Sequence, residues 1–310
     1  MAIHHQLIDL QINGFAGVDF QRDDVTAEEL LRACRAIRKA GCSQFLLTLI
    51  TDRWDALANR LRAFCRLRKE NPELQSAIAG WHIEGPFLST EPGYSGAHPA
   101  ELMMDPSPAL IQELNEIAPA DRLLLTLAPE RSGSMESIHR AVSLGMSVAL
   151  GHTNASAAVL REAVEAGATL FTHLGNGCPR ELDRHDNIVW RVLETDGLTV
   201  SVIPDGIHVS PPLFRLIHRV LGRERVCYVS DAMSAAGVAP GRYTLGRMEL
   251  QVGADQVVRQ PGSPLFAGSA LEPAKGLRRA AEMLGCGLED VLPAYTDIPA
   301  RVIGLPDNQR

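Results

Sequence analysis

The sequence alternates eight short apolar segments with segments of helical periodicity. The apolar segments are rich in leucine and β-branched residues and recur about every 25 to 40 residues, a spacing typical of repeated strand–helix units in a parallel sheet. Eight such units close naturally into a barrel, whereas a doubly wound sheet more often stops at five or six strands. The sequence therefore predicts an α/β fold, a (β/α)8 TIM barrel. The predicted strands cover residues 6–12, 43–50, 77–83, 122–128, 146–151, 168–173, 198–203 and 225–230.

The segments between the predicted strands have the apolar spacing of amphipathic helices. A later segment, residues 240–268, is rich in Gly and Pro and alternates polar with apolar residues, which predicts a hairpin excursion. No linker or internal repeat interrupts the pattern, so we predict a single barrel domain over residues 1–310. The predicted helices cover residues 26–41, 52–72, 107–117, 134–144, 156–166, 210–221, 270–284 and 288–303.

Charge and hydropathy narrow the class of partner. The net charge of −7 comes without a basic run, so the electrostatic pattern of a nucleic-acid-binding protein is missing and a small molecule is the expected partner. No apolar stretch approaches the roughly 18 to 20 residues of a membrane span, and the amino terminus lacks the pattern of a signal peptide. We therefore expect no membrane association and a cytoplasmic location.

Other chemistries lose their usual sequence support. The three lysines, Lys39, Lys69 and Lys275, lie in helical patterns, which argues against Schiff-base and pyridoxal phosphate chemistry. The phosphate-loop, dinucleotide-binding and serine-hydrolase motifs are all missing from the sequence. The six cysteines form no C-x-x-C pair, which favours reduced thiols over a cysteine-bound metal.

Four residues with metal-binding or acid–base side chains close predicted strands. Glu84 follows the third strand, His152 the fifth, His173 the sixth and Asp231 the eighth. Because catalytic groups of barrel enzymes come from the carboxyl ends of strands, we expect these side chains to meet at one rim. A lone histidine there is commonly a structural hydrogen-bonding residue, but two histidines with a carboxylate favour a metal site.

A set of two histidines and one glutamate is typical of catalytic rather than structural zinc sites. It leaves the fourth position of a tetrahedral Zn²⁺ open for water, whose pKa the ion lowers to roughly 7. Such a site needs a base for the water proton, and Asp231 is positioned for that role. The alternative for Asp231 is a cap on the following segment. The pattern predicts a metal-dependent hydrolase.

Seven segments together resemble the N-acetylglucosamine-6-phosphate deacetylases of the amidohydrolase superfamily. They are LIDLQINGFAGVDF, HIEGPFL, LTLAPE, GHTNA, THLGNG, PDGIHV and VSDAM, in the family's order and over nearly the whole chain. The resemblance implies that Glu84, His152 and His173 bind the metal and that Asp231 acts as general base and then general acid. Gln and Asn at positions 11 and 13, where much of the superfamily has His-x-His, imply one catalytic metal rather than two.

The resemblance also implies a set of substrate contacts. An arginine and a histidine suit a sugar phosphate, because each charge-assisted hydrogen bond contributes about 1.5 to 3 kcal/mol. His208 would also stabilise the tetrahedral intermediate, which makes it a catalytic residue as well. The alternative for Arg184 is a solvated charged loop. The implied substrate-binding residues are Gln11, His98, Asn176, Gly177, Arg184 and His208.

The implied reaction is removal of the N-acetyl group from N-acetylglucosamine 6-phosphate, giving glucosamine 6-phosphate and acetate. Departures from the family lie around the substrate: THLYNAM becomes THLGNGCP, and Glu272 and Pro273 replace an apolar lid residue. The segments that form the family's flanking β-sandwich are also expected to be absent. Two alternatives stay open: a deacetylase of another N-acyl amino sugar, galactosamine-type or unphosphorylated, and a ligand-binding barrel without catalysis.

The expected cofactor is one divalent metal ion. We expect Zn²⁺, although sites of this composition also accept Fe²⁺, Co²⁺ or Mn²⁺ according to supply. Members of the family are commonly dimers, so the resemblance leaves a homodimer open.

Overall fold

Eight parallel strands form a barrel in the computed structural model, which describes residues 7–262 and 266–306. All eight predicted strands are confirmed, although position 6 of the first lies outside the described residues. Each strand pairs with the next one along the chain, as the βα rhythm predicts. The strands are β1 (Leu7–Ile12), β2 (Cys42–Ile50), β3 (Ile78–Glu84), β4 (Arg122–Leu127), β5 (Ser147–Leu150), β6 (Leu170–Phe171), β7 (Thr199–Val202) and β8 (Val226–Tyr228).

The first and last strands meet at a junction that we call the seam. Ile12, the last residue of β1, bridges Ala232 in parallel, and the backbone N–H of Asn13 donates to the carbonyl of Ala232 at 2.7 Å. Inside the barrel, the Asp9 carboxylate accepts a hydrogen bond from the backbone N–H of Ser230 at 2.9 Å. The seam therefore joins the two ends of the sheet through a few contacts in place of a continuous ladder.

Helices surround the barrel, and most begin at a residue that the sequence marks. Thr26 and Glu29 form a capping box at the first helix, and Ser107 and Ser210 cap helices whose first residue is proline. Their bounds are Ala27–Lys39, Trp54–Glu70, Pro72–Ala77, Pro108–Ile117, Ser134–Ser143, Ala157–Glu165, Ile188–Glu194, Pro211–Leu221, Pro273–Leu284, Leu288–Val291 and Asp297–Val302.

Two helical predictions differ from the structure. The segment predicted as one helix over residues 52–72 ends earlier, and a second short helix, Pro72–Ala77, follows because the Asn71 side chain caps it. The segment predicted as one helix over residues 288–303 instead contains two short α-helices separated by a 3-10 turn at Leu292–Tyr295.

Apolar side chains pack together inside the barrel. A layer that includes Leu46, Leu124 and Leu170 packs against Ile298 and Ala300 from the last helix, which lies across the bottom of the barrel. This leaves the opposite rim, at the carboxyl ends of the strands, as the place where polar side chains gather.

A small antiparallel sheet follows the barrel strands and confirms the predicted excursion over 240–268, of which residues 263–265 lie outside the description. Its strands are β9 (Gly241–Leu245), β10 (Met248–Val252) and β11 (Val258–Arg259). Leu250 and Val252 pack on Met233, which follows β8, so the sheet rests on the rim at the carboxyl ends of the strands. None of the helices in the described part of the chain is long and apolar enough to cross a membrane.

Candidate active site

The structure brings three of the predicted strand-end side chains within hydrogen-bonding distance of one another. Glu84 ends β3, and His152 and His173 each lie two residues beyond β5 and β6; all three are buried. His173 Nε2 lies 2.9 Å from Glu84 Oε1 and 3.2 Å from His152 Nε2, and His152 Nε2 lies 3.4 Å from Glu84 Oε1. Three potential ligand atoms thus form a small triangle.

This triangle fits a metal ion. Ligand atoms about 2.1 Å from a tetrahedral metal lie roughly 3.4 Å from one another, close to the separations found. His152 Nδ1 lies 3.0 Å from the carbonyl oxygen of Tyr94, a contact that would hold the proton on Nδ1 and leave the Nε2 lone pair for a metal ion when one is bound. A second possible set of three ligands has His98 in place of His173, since ligand atoms of Glu84, His98 and His152 lie within 4.8 Å of one another.

Backbone strain accompanies these side chains. His152, His173 and Asp231 have φ values of 51°, 31° and 51°, in the left-handed region that non-glycine residues rarely adopt. Strain of this kind is concentrated at functional sites, where the surrounding structure holds it in place. Gly96 and Gly177 make room for the His152 ring, because a Cβ atom at either position would lie within 3.0 Å of it.

Glu84 is an ionised carboxylate in this setting. Burial alone would raise its pKa, but hydrogen bonds from His152 and His173 and the nearby histidine charges hold the pKa of Glu84 well below its usual value. Gln11 Nε2 donates to Glu84 Oε1 at 3.0 Å. The site therefore presents a negative charge to a cation.

Asp231 lies beside the triangle and is held by two amides. Gln11 Nε2 and Asn13 Nδ2 both donate to its Oδ1 atom, at 3.0 and 2.7 Å, and no described residue bonds to Oδ2. Burial is the main cause, and the negative charge of Glu84 the second, that raises the pKa of Asp231 to about 6. The hydrogen bond from Asn13 lowers this pKa and so offsets part of the rise. A carboxylate with one free oxygen and a pKa near neutrality suits a general base.

Two further histidines point toward the site. His208 Nδ1 lies 2.5 Å from Asp205 Oδ2, and Nε2 has no hydrogen-bond partner among the described residues. Burial raises the pKa of Asp205, but its hydrogen bond with His208 outweighs this and lowers it. His98 Nδ1 contacts Thr51 Oγ1 at 2.8 Å, and burial together with the charge of His152 lowers the pKa of His98 to about 3.

These groups open onto one cavity of about 770 Å³, within the range of small-molecule sites. Besides the three potential ligands and Asp231, its lining includes the predicted substrate-binding residues His98, Asn176, Gly177 and His208. Gln11 reaches the site through its bonds to Glu84 and Asp231. A larger groove, about 1280 Å³, lies at the opposite end of the barrel near Cys65 and contains none of these residues.

The structure does not bring Arg184 to the cavity lining. It is exposed, and its Nε donates to His185 Nε2 at 3.0 Å. The arginines that do line the cavity are Arg180 and Arg259, from the loop after His173 and from β11. Phosphate binding by Arg184 stays a prediction.

Sequence reasoning missed several contributors. Asp205 stands three residues before His208 within PDGIHV, a spacing that could have suggested a carboxylate–histidine pair. The Tyr94 carbonyl and Thr51 hydroxyl come from loops whose approach to the histidines has no sequence signal.

Comparison with known proteins finds relatives that are, by their names, deacetylases of N-acetyl amino-sugar 6-phosphates. N-acetylglucosamine-6-phosphate deacetylase of Bos taurus is 35% identical, over 96% of this chain and 73% of its own length. A structure of the Mycobacterium smegmatis enzyme, a variant in complex with N-acetyl-D-glucosamine-6-phosphate, superposes with a TM-score of 0.87 at 32% identity, covering 97% of this chain and 77% of its own. N-acetylgalactosamine-6-phosphate deacetylase of Escherichia coli O157:H7 is 30% identical, over 96% of this chain and 77% of its own length. No family model matches the chain.

The barrel, the Glu–His–His triangle and the adjacent aspartate define a metal-dependent hydrolase of the amidohydrolase class. The relatives identify the family within this class, because they match almost all of this chain at up to 35% identity. The chain belongs to the N-acetylglucosamine-6-phosphate deacetylase family, and it spans about three quarters of the length of the relatives it matches.

Proposed function

We propose that this protein removes the acetyl group from N-acetylglucosamine 6-phosphate, using one divalent metal ion, Zn²⁺, held by Glu84, His152 and His173. The observation that carries the proposal is the separation of 2.9 to 3.4 Å among the three potential ligand atoms, beside a carboxylate with one free oxygen. This arrangement supports hydrolysis, because a water on the open side of the triangle would face a base.

When bound, the metal supplies a positive charge that acidifies water and polarises the acetamide carbonyl. Asp231 Oδ2 takes one proton from the attacking water while the water oxygen bonds to the carbonyl carbon. The negative charge that develops on the carbonyl oxygen faces His208, whose Nε2 donates a hydrogen bond to it while Nδ1 stays on Asp205. Asp231 then gives its proton to the nitrogen as the carbon–nitrogen bond breaks, and the second proton of the water passes from the acetic acid formed to the amine or to solvent, which leaves acetate.

A galactosamine-type substrate is the second candidate. It is favoured by the relative from Escherichia coli that acts, by its name, on N-acetylgalactosamine 6-phosphate, at 30% identity. The two sugars differ only at one hydroxyl, so the residues that hold the sugar decide between them and the hydrolytic groups do not. Either substrate would use the same metal ligands and base.

Acetate release from four substrates tests the proposal. Purified protein of measured metal content is given N-acetylglucosamine and N-acetylgalactosamine, each with and without the 6-phosphate. The proposal predicts the highest kcat/KM for N-acetylglucosamine 6-phosphate; a higher value for another sugar would replace the substrate, and no acetate from any of them in zinc-loaded protein would refute deacetylation.

The same assay tests the predicted role of Arg184. Replacing Arg184 by Met should raise KM for the phosphorylated substrate far more than for the unphosphorylated one, if this arginine contacts the phosphate. Equal KM values in the variant and the native protein would assign phosphate binding to other groups.

A further inference from the structure

Asn13 has an unused hydrogen-bond acceptor beside the catalytic base. Its side chain is 1% exposed and lines the active-site cavity. Nδ2 donates to Asp231 Oδ1 at 2.7 Å, whereas Oδ1 has no hydrogen-bond partner among the residues that the structure describes. Leaving a buried carbonyl oxygen without a donor costs about 1 to 3 kcal/mol, so such an atom calls for an explanation.

The orientation of the Asn13 amide is fixed by its neighbour. Turning the amide over would place Oδ1 against Asp231 Oδ1, so that two acceptors would face each other without a proton between them. Gln11 Nε2 donates to the same oxygen of Asp231, which makes that oxygen an acceptor in both contacts. Oδ1 of Asn13 is therefore left as an acceptor next to the base.

We propose that Asn13 Oδ1 accepts a hydrogen bond from the N–H of the substrate's acetamide group, and so orients the leaving nitrogen. The inference rests on the proposed deacetylation and adds a catalytic residue to it. The acetamide group of an N-acetyl sugar is substituted on nitrogen and so carries a single N–H donor, which a buried neutral acceptor can bind without a change of charge. The acceptor and Asp231 would then meet the same nitrogen from adjacent directions.

This contact has a defined use in the second half of the reaction. After water has added to the carbonyl carbon, the nitrogen becomes tetrahedral and carries its hydrogen and one lone pair. With the N–H directed at Asn13 Oδ1, the lone pair is free to turn toward the proton on Asp231. Proton transfer from Asp231 to nitrogen then lets the carbon–nitrogen bond break, with its electron pair staying on the amine.

A different donor for Asn13 Oδ1 would be the attacking water. An amide and an ester substrate distinguish the two donors, because both substrates react with the water but only the amide has an N–H group. The matched pair is N-acetylglucosamine 6-phosphate and the ester in which an acetylated oxygen replaces the acetamide nitrogen at the same carbon. Asp231 takes the water proton and protonates the leaving atom in both.

The test is the kcat/KM ratio of amide to ester, measured for the native protein, Asn13→Ala and Gln11→Ala after subtraction of spontaneous ester hydrolysis. Each ratio comes from one preparation, so a reduced fraction of folded enzyme cancels. We expect Asn13→Ala to lower the ratio about 10-fold or more, as loss of a buried hydrogen bond does. Gln11→Ala should leave the ratio unchanged, because the hydrogen bonds that Gln11 Nε2 makes within the described residues go to Glu84 and Asp231, and an N–H donor cannot accept the N–H of the substrate.

An unchanged ratio in Asn13→Ala, with both substrates slowed equally, would overturn the inference and assign Asn13 to positioning of Asp231 or the water. That result would leave the proposed deacetylation intact. Failure of the native, metal-loaded protein to release acetate from the amide would instead refute the proposed function itself.

Discussion

Replacing Asp231 by Asn isolates the base from the rest of the site. The change keeps the shape of the side chain, and the carboxamide oxygen can still accept the hydrogen bonds that Gln11 and Asn13 now give to Oδ1. The other oxygen, to which no described residue donates a hydrogen bond, becomes an NH₂ group. It can no longer take a proton from water. The fold and the three metal ligands are expected to stay in place.

The magnitude follows from that single loss. A positioned general base contributes about 10² to 10⁴ in rate, equivalent to about 3 to 5 kcal/mol in the activation barrier. We therefore expect kcat for acetate release to fall 100- to 10,000-fold in Asp231→Asn while bound zinc stays at the native amount. Asp196→Asn, a change at an exposed aspartate paired with Arg225, is the matched control and should keep native activity.

The assay combines enzymatic detection of acetate with elemental analysis of the same sample. A kcat in Asp231→Asn within 10-fold of the native value, at equal zinc content, would refute the assignment of Asp231 as the base. A loss of zinc in parallel with the loss of activity would instead make Asp231 a ligand of the metal.

Three other outcomes are expected. Chelation, or His152→Ala, should abolish acetate release, and added Zn²⁺ should restore activity only to the chelated native protein, as metal titration would show. The acidic limb of the kcat/KM profile should lie at or below pH 6, because burial raises the pKa of Asp231 to about 6 and a bound cation lowers it again. Asn13→Ala should move this limb to higher pH, because the hydrogen bond from Asn13 lowers the pKa of Asp231. Burial raises the pKa of Asp9 from 3.8 to about 7, so between these values the folded state binds more protons than the unfolded state. The free energy of unfolding should therefore fall as pH rises from 4 to 7. Denaturant titrations should find a weaker dependence on pH in Asp9→Asn.

The barrel could be predicted because its strands are short apolar runs at regular intervals, which local sequence records. The extra helix at Pro72–Ala77 was missed because the Asn71 cap restarts a helix within three residues of the previous helix end. Likewise, the final helix Asp297–Val302 is set by packing into the barrel bottom, through Ile298 and Ala300, and not by periodicity.

The meeting of Glu84, His152 and His173 followed from strand order alone, since parallel strands place their carboxyl ends at one rim. The contacts that orient these groups did not follow. The Tyr94 carbonyl that fixes His152 depends on how a loop folds back over the rim. The amide pair that holds one oxygen of Asp231 depends on how β1 meets the segment after β8. Arg184 shows the same limit, because its position depends on the course of an exposed loop.

The catalytic base lies at the seam, where a few contacts close the barrel in place of a continuous ladder. Asn13 and Asp231 lie on opposite sides of it, so separation of β1 from the end of β8 would pull the amide donors away from the base before the other strand pairs change. Local opening there costs less free energy than global unfolding. In mild denaturant, activity should therefore disappear ahead of helical circular dichroism, and the amide hydrogens of Asn13 and Ser230 should exchange earlier than those of β3.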